Sequence, residues 1–344
     1  MKVIVDPRMR YNYASWYLQG MSNFKIVYDV KPFKSLKYET EEDYISGFAF
    51  IVQYDDARTK RVFIEFNDLA IIYTDRYTWC DAYGMVNPKR EQMQQYPKIC
   101  AVGPECGLTL HPMIFTVFNS LWMFFKGKSF SKIPLKYYLR DFLYTNIRRR
   151  SLAVYEASTK IKENYVFHAS TLWYDSYTNS NTNFYRGEFL KACKLNKLNV
   201  EGGLYLLGDR TIVDAFPEYA RYRERYKDFI FEKRISMDDY IKKTKESVVV
   251  FNTPSVGGCH GWKLAEYLCM GKAIISMPLS RVLPGKGLIH GENVHFVNSI
   301  DDIYNAVKLI ASDAAYRQKL EQGARAYYEE FIAPSKVMER LIFN

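Results

Sequence analysis

Residues 248–276 hold the chain's densest set of groups able to do chemistry: an apolar run, a turn with Gly257, Gly258 and Gly261, then Lys263 and Glu266, Gly271, and a second apolar run. The order reads as strand, glycine-rich loop, short helix, glycine cap and strand, which is one βαβ unit. Glycines let a backbone approach a ligand closely, and the following helix aims its positive end at the same place, so the expected guest is an anion. Lys263, in the first helical turn, is placed to meet a phosphate. Glu266, one turn deeper on the same face, suits the neighbouring hydroxyls of a ribose. The same spacing also describes a plain helical ion pair, and the residues alone leave both readings open.

Such a unit needs a sheet on each side of it. In the first half, short β-rich runs at residues 2–5, 25–30, 48–53, 61–65 and 98–102 alternate with helical stretches, a pattern that predicts a parallel sheet covered on both faces. Ligands of such sheets lie at the carboxyl ends of the strands. That directs attention to Asp6 and Arg8 after the first strand and to Glu105 after the run ending at Val102, with Asp81 in a further loop. A second sheet is expected from residues 165–167, 203–207, 229–231, 247–251, 273–276 and 294–297, with an Asn-rich loop at 179–183 before a helix starting near Phe184. At 344 residues the chain suits two domains, read as 1–160 on the acceptor side and 161–330 on the nucleotide side, with a C-terminal helix over 331–344 crossing back to the first.

Composition narrows the classes. With 48% hydrophobic and 25% charged residues the chain can bury a core without staples. Six cysteines without Cys-x-x-Cys spacing and five scattered histidines argue against a disulfide framework or a zinc site. The first residues break their apolar run too early for a secretory signal and read as a strand, which predicts a cytoplasmic protein. A net charge of +10 calls for an anionic partner. No stripe of basic and stacking aromatic residues in a known module supports nucleic acid. Residues 114–150 interleave Phe, Trp and Tyr with Lys and Arg and predict two helices, either core-packed with a solvated basic edge or resting on an anionic membrane at its inner face.

Residues 255–276 resemble the C-terminal motif of GT-B glycosyltransferases of the group 1 kind that build bacterial capsule and lipopolysaccharide: Ser255, Gly261, Glu266, Gly271 and the run 274–276 match it in order. The loop, turn and strand over residues 283–297 and the helix opening near Ser299 are similar to that family's continuation. The resemblance covers about residues 165–340. It implies two Rossmann-like α/β domains facing a central cleft, a nucleotide-sugar donor, and a glycan or lipid-linked acceptor. It further implies Glu266 as the ribose ligand, and Lys263, or else Arg186, as the cation that supports the leaving diphosphate; Ser170 after its strand and His260 in the donor loop are further candidate donor contacts. One departure is that retaining members often carry two glutamates seven residues apart, and the first falls on Gly258.

Departure of a nucleoside diphosphate builds negative charge on its bridging oxygen, which Lys263 and the loop amides would meet. Asp-Asp pairs occur at 55–56, 238–239 and 301–302 but no Asp-x-Asp, so a mechanism without metal or other cofactor is expected. If the reaction inverts the sugar, a carboxylate must take the acceptor's proton, for which Asp81 and Glu105 are the candidates and Asp6 a weaker one. Alternatives are a GT-B-like sugar-nucleotide-binding scaffold, a nucleotide-sugar epimerase and, least favoured, a basic nucleic-acid-binding protein.

Overall fold

The computed structural model describes residues 1–178, 181–205, 216 and 218–343. The chain forms two compact units. One comprises Met1–Val154, Arg281–Gly285 and Glu329–Asn344, the other Tyr155–Ser280 and Lys286–Tyr328.

The first unit is built on a six-stranded sheet of β1 (Lys2–Val5), β2 (Lys25–Tyr28), β3 (Gly47–Gln53), β4 (Thr59–Glu65), β5 (Ala82–Met85) and β6 (Ile99–Ala101), in the order β2-β1-β3-β4-β5-β6. The expected all-parallel sheet is corrected here: β3 runs antiparallel to both β1 and β4. The reason is length. Between Gln53 and Thr59 lies only a tight turn, closed by Tyr54 N–H to the Arg58 carbonyl at 3.0 Å with Ala57 at φ +66°. A parallel crossover needs a dozen or more residues. The other five strands share one direction, so the ends of β1, β4 and β6 lie along one edge. β5 gave no sequence signal, since its four residues Ala-Tyr-Gly-Met include a glycine.

Both sheet faces are covered, with Phe48, Phe50, Val62 and Ile64 buried on one and Ala49 and Phe63 on the other. The helix Tyr11–Gly20 inserts Trp16 and Tyr17, and the C-terminal helix Pro334–Phe343 packs on it. Gly20 permits that approach, because a Cβ there would overlap the Pro334 carbonyl.

In the second unit two three-stranded parallel sheets stand where one was expected: β7 (Tyr165–Thr171), β8 (Asn199–Tyr205) and β9 (Ile230–Phe231), and β10 (Val250–Asn252), β11 (Ile274–Ser276) and β12 (His295–Phe296). They meet along β7, where Val248 N–H donates to the Tyr165 carbonyl at 2.9 Å and Phe167 N–H to Ser247 Oγ at 2.8 Å. Stacked Phe189 and Phe251 rings, 4.8 Å between centroids, tie the helix Thr182–Leu195 to β10. Residues 206–207 of the expected run 203–207 and 179–180 of the Asn-rich loop lie outside the described residues. Ser299 and Asp302 form a reciprocal capping box at the start of Ile300–Ser312.

Candidate functional site

The carboxyl ends of β7 and β10 and the start of the helix Trp262–Cys269 bring three of the expected residues together, Ser170, Arg186 and Lys263. His168 and Ser170 lie two apart on β7 and so share a face. The Lys263 ammonium donates to the Ala169 carbonyl and to Ser170 Oγ, the latter at 2.6 Å. Ser170 Oγ also forms a hydrogen bond with His168 Nε2, 2.7 Å away. Burial, then the nearby charges of Lys263 and Arg186, hold His168 far below its ordinary pKa, so the ring is neutral.

Arg186 projects from the first turns of Thr182–Leu195. Its Nε donates to Thr253 Oγ1 at 3.0 Å and its Nη1 to the Thr171 carbonyl at 2.8 Å. Burial pushes the guanidinium down to about 10. Lys263 is driven well below its usual value by burial and then by Arg186, with Glu266 pulling the other way. No carboxylate lies within ion-pair distance of either cation among the described residues, so the helical ion pair of Lys263 with Glu266 does not form. Arg186 is buried and Lys263 half-buried, the two repel each other, and no carboxylate lies within ion-pair distance of either among the described residues, which favours an anion.

The glycine turn corrects an expectation. Its amides were expected to face a ligand, but Gly257 N–H donates to the Tyr177 carbonyl at 2.9 Å, Gly258 N–H to Ser255 O at 3.0 Å and Cys259 N–H to Val256 O at 3.1 Å. Their hydrogen bonds fold the turn upon itself. Gly261, the helix N-cap, has φ +70° and ψ 154°, a region closed to residues with a Cβ. The Gly261 and Lys263 amides open the helix and have no carbonyl acceptor among the described residues. Ser255 is half-buried in the turn and His260 is buried just before the N-cap.

Glu266 is buried one turn further in, and its Oε2 accepts from the Tyr240 hydroxyl at 2.7 Å. Tyr240 comes from the helix Met237–Glu246, and no local pattern around residue 266 announces it. His168 could have been found, since period two along β7 puts it beside Ser170. Thr253 adjoins the motif but carries no signal of its own.

The residues expected in the first unit are placed differently from the sequence reading. Asp6 and Arg8 are fully buried against each other, with Arg8 Nη2 to Asp6 Oδ2 at 2.7 Å. Arg8 also donates to Leu36 O at 3.0 Å, Phe130 O at 2.8 Å and Phe33 O at 2.8 Å. Those bonds and the one from Nε to Asp6 use all five guanidinium protons, leaving none for an acceptor. Asp81 precedes β5 and therefore lies at the amino edge, opposite the ends of β4 and β6, where it pairs with exposed Arg61 at 2.9 Å. Glu105 does follow β6 at the carboxyl edge, but it is buried, and burial followed by the charge of Asp68 lifts its carboxyl to about 8. At neutral pH it holds a proton rather than accepting one. Glu65, at the end of β4, was missed. It too is buried and raised, by burial above all and by the charges of Glu105 and Asp68, against the Asn67 amide and Arg281.

Comparison with protein-family models gives no match, and comparison with curated proteins gives none. Among solved structures the chain is similar to a mutant of S. aureus TarM in complex with fondaparinux, alpha-GlcNAc-glycerol and UDP, with 11% identity, 80% of this chain against 47% of that one, and a TM-score of 0.45. It is also similar to a glycosyltransferase from Rickettsia africae, with 13% identity, 76% of this chain, 62% of that one and TM-score 0.43. A third is Anabaena HepE in complex with UDP-glucose, with 12% identity, 81% of this chain, 97% of that one and TM-score 0.38. The chain thus spans about half the length of TarM.

Proposed function

We propose that this chain is a glycosyltransferase of the GT-B kind that moves a sugar from a nucleotide-sugar to a glycan or lipid-linked acceptor in surface-polysaccharide synthesis, in the cytoplasm and without a metal. The observation that carries the reading is the pair Lys263 and Arg186, two cations with no carboxylate within ion-pair distance among the described residues, beside the helix start at Gly261. A diphosphate supplies the missing charge. Transfer breaks the bond between the anomeric carbon and the diphosphate oxygen, both electrons leaving with that oxygen, while the acceptor's hydroxyl oxygen bonds to the anomeric carbon and gives up its proton to the departing diphosphate or to water. The two cations are fixed before that charge develops, so they stabilise the departing group without reorganising. Bound diphosphate also favours the ammonium form of Lys263, which takes up a proton on binding wherever the free site holds it neutral. Glu266, held by Tyr240, is the proposed ribose ligand.

Thermal shift against a panel of nucleoside diphosphates and their sugars tests the reading. One nucleotide should stabilise the protein, by about 2.7 kcal/mol at a hundredfold excess over Kd. The shift should vanish in Lys263→Ala/Arg186→Ala. No stabilisation by any nucleotide would remove the proposal. Gly258, standing where the resembled family often has a glutamate, favours a second reading as a binding scaffold. Stabilisation by a nucleotide-sugar without hydrolysis or transfer would select it.

A further inference from the structure

The helix Met113–Gly127 in the first unit is turned inside out. Its buried residues are Thr116, Ser120, Met123 and Gly127, spaced four, three and four apart along one stripe. The opposite stripe is aromatic and exposed: Phe115 at 60%, Phe118 at 65% and Phe125 at 56%, with Ile114 at 80% and Trp122 among them. A helix that only served the core would show the reverse pattern. The inward polar groups are satisfied, Thr116 Oγ1 accepting from Asn146 Nδ2 at 2.9 Å and Ser120 Oγ donating to Val117 O at 2.7 Å. The helix is therefore seated by its polar side, and its apolar side stays largely open, Trp122 meeting the Tyr28 ring edge-on at 5.5 Å while Phe115, Phe118 and Phe125 stand exposed.

Charge indicates the missing partner. Residues 112–140 contain no Asp or Glu. Lys126 stands over the Trp122 ring at 5.5 Å and Lys128 over the Phe125 ring at 4.9 Å, so ammonium groups border the aromatic stripe at its C-terminal end. Lys132 pairs with Glu39 at 3.5 Å, whereas Lys126, Lys128 and Lys136 have no carboxylate partner among the described residues. Aromatic side chains lying flat beside lysines match a lipid interface with anionic headgroups, and 15 residues give an edge about 22 Å long. No helix among the described residues is long and apolar enough to cross a membrane, so the contact is one of resting on the surface.

We infer that the Phe115–Phe118–Trp122–Phe125 stripe docks the protein on an anionic membrane, with Lys126 and Lys128 reading the headgroups. This inference stands apart from the donor site and does not depend on what that site binds.

Vesicle flotation with the full chain tests it, using phosphatidylcholine alone and phosphatidylcholine mixed with phosphatidylglycerol. The protein should float with the mixed vesicles at low salt and stay behind with the neutral ones. F115S/F118S/F125S should abolish flotation, and K126E/K128E should cut it at least tenfold, while both variants keep the wild-type melting temperature, since none of these side chains is buried. Equal flotation by wild type and the triple serine variant would overturn the proposal. So would a wild-type dimer that the serine variant splits and that binds no vesicles, because a second copy would then be the cover.

Discussion

The two units bury charge in opposite ways. In the first, Arg8 is wholly enclosed and meets Asp6 and three carbonyls, so that its charge and its protons are all answered from within. In the second, Lys263 and Arg186 meet only hydroxyls and carbonyls and repel each other. A buried charge that the fold neutralises itself does structural work. One left without a counter-charge costs stability until something binds, and is better explained by the ligand than by the fold.

Breaking the saturated arrangement should give the largest effect. Arg8→Ala leaves Asp6 charged and enclosed and three carbonyls without donors, which should lower unfolding free energy by about 3–5 kcal/mol, read as a lower urea midpoint. Arg8→Lys should recover little, because an ammonium cannot span Asp6 and three carbonyls. If Arg8→Ala unfolded like wild type, the contrast between the units would disappear.

The unsaturated arrangement should respond the other way. Lys263→Ala removes one of two repelling cations, so stability should hold or rise slightly while transfer falls by about 10²–10³. The fall should exceed the loss in nucleotide affinity, because the charge is needed most as the diphosphate departs. Parallel loss of stability and rate would mean that Lys263 is held for the fold.

Gly261→Ala should come next. At φ +70° and ψ 154° a methyl group strains the backbone by about 1–3 kcal/mol, and the helix carrying Lys263 and Glu266 must shift to relieve it. Nucleotide affinity should therefore drop together with thermal stability, although Ser255 Cβ, at 3.6 Å from the added carbon, leaves room for it.

These contrasts also show what a sequence can carry. The βαβ unit at 248–276 was legible because glycines at a turn and apolar runs on either side are local signals, and Lys263 with Ser170 and Arg186 assemble from three such signals. The antiparallel β3 was legible in principle, from the short Asp-Asp-Ala-Arg turn after Gln53, but the alternation of strands with helices outweighed it. What stayed hidden was long-range: Tyr240 reaching Glu266 across 26 residues, or Glu65 and Glu105 coupled through β5. Asp81 was misplaced because β5 was not seen, and without that strand a loop has no edge to belong to. The orientation of residues 113–127 was hidden as well, since a helix apolar on most sides does not show which side faces out.

The smallest expected effect separates the units by the sign of their pH dependence. Glu105 has a carboxyl raised to about 8 from an ordinary 4.5, so the folded state holds its proton more tightly than the unfolded chain does. Its contribution to stability is complete below about 4.5 and is lost as pH rises through 8. Lys263 is depressed from 10.5, so its contribution is complete above that value and is lost as pH falls through the folded pKa. Urea unfolding of wild type should thus lose stability between pH 5 and 8 in the part due to Glu105, and Glu105→Gln should flatten that slope, because the amide keeps the neutral form at every pH. The double variant Glu65→Gln/Glu105→Gln should flatten it further, since burial raises the Glu65 carboxyl as well. Lys263→Met should leave this acid-side slope alone and weaken the opposite one. An acid-side slope that Lys263→Met changed and Glu105→Gln did not would assign that slope to the second unit and remove the contrast in sign.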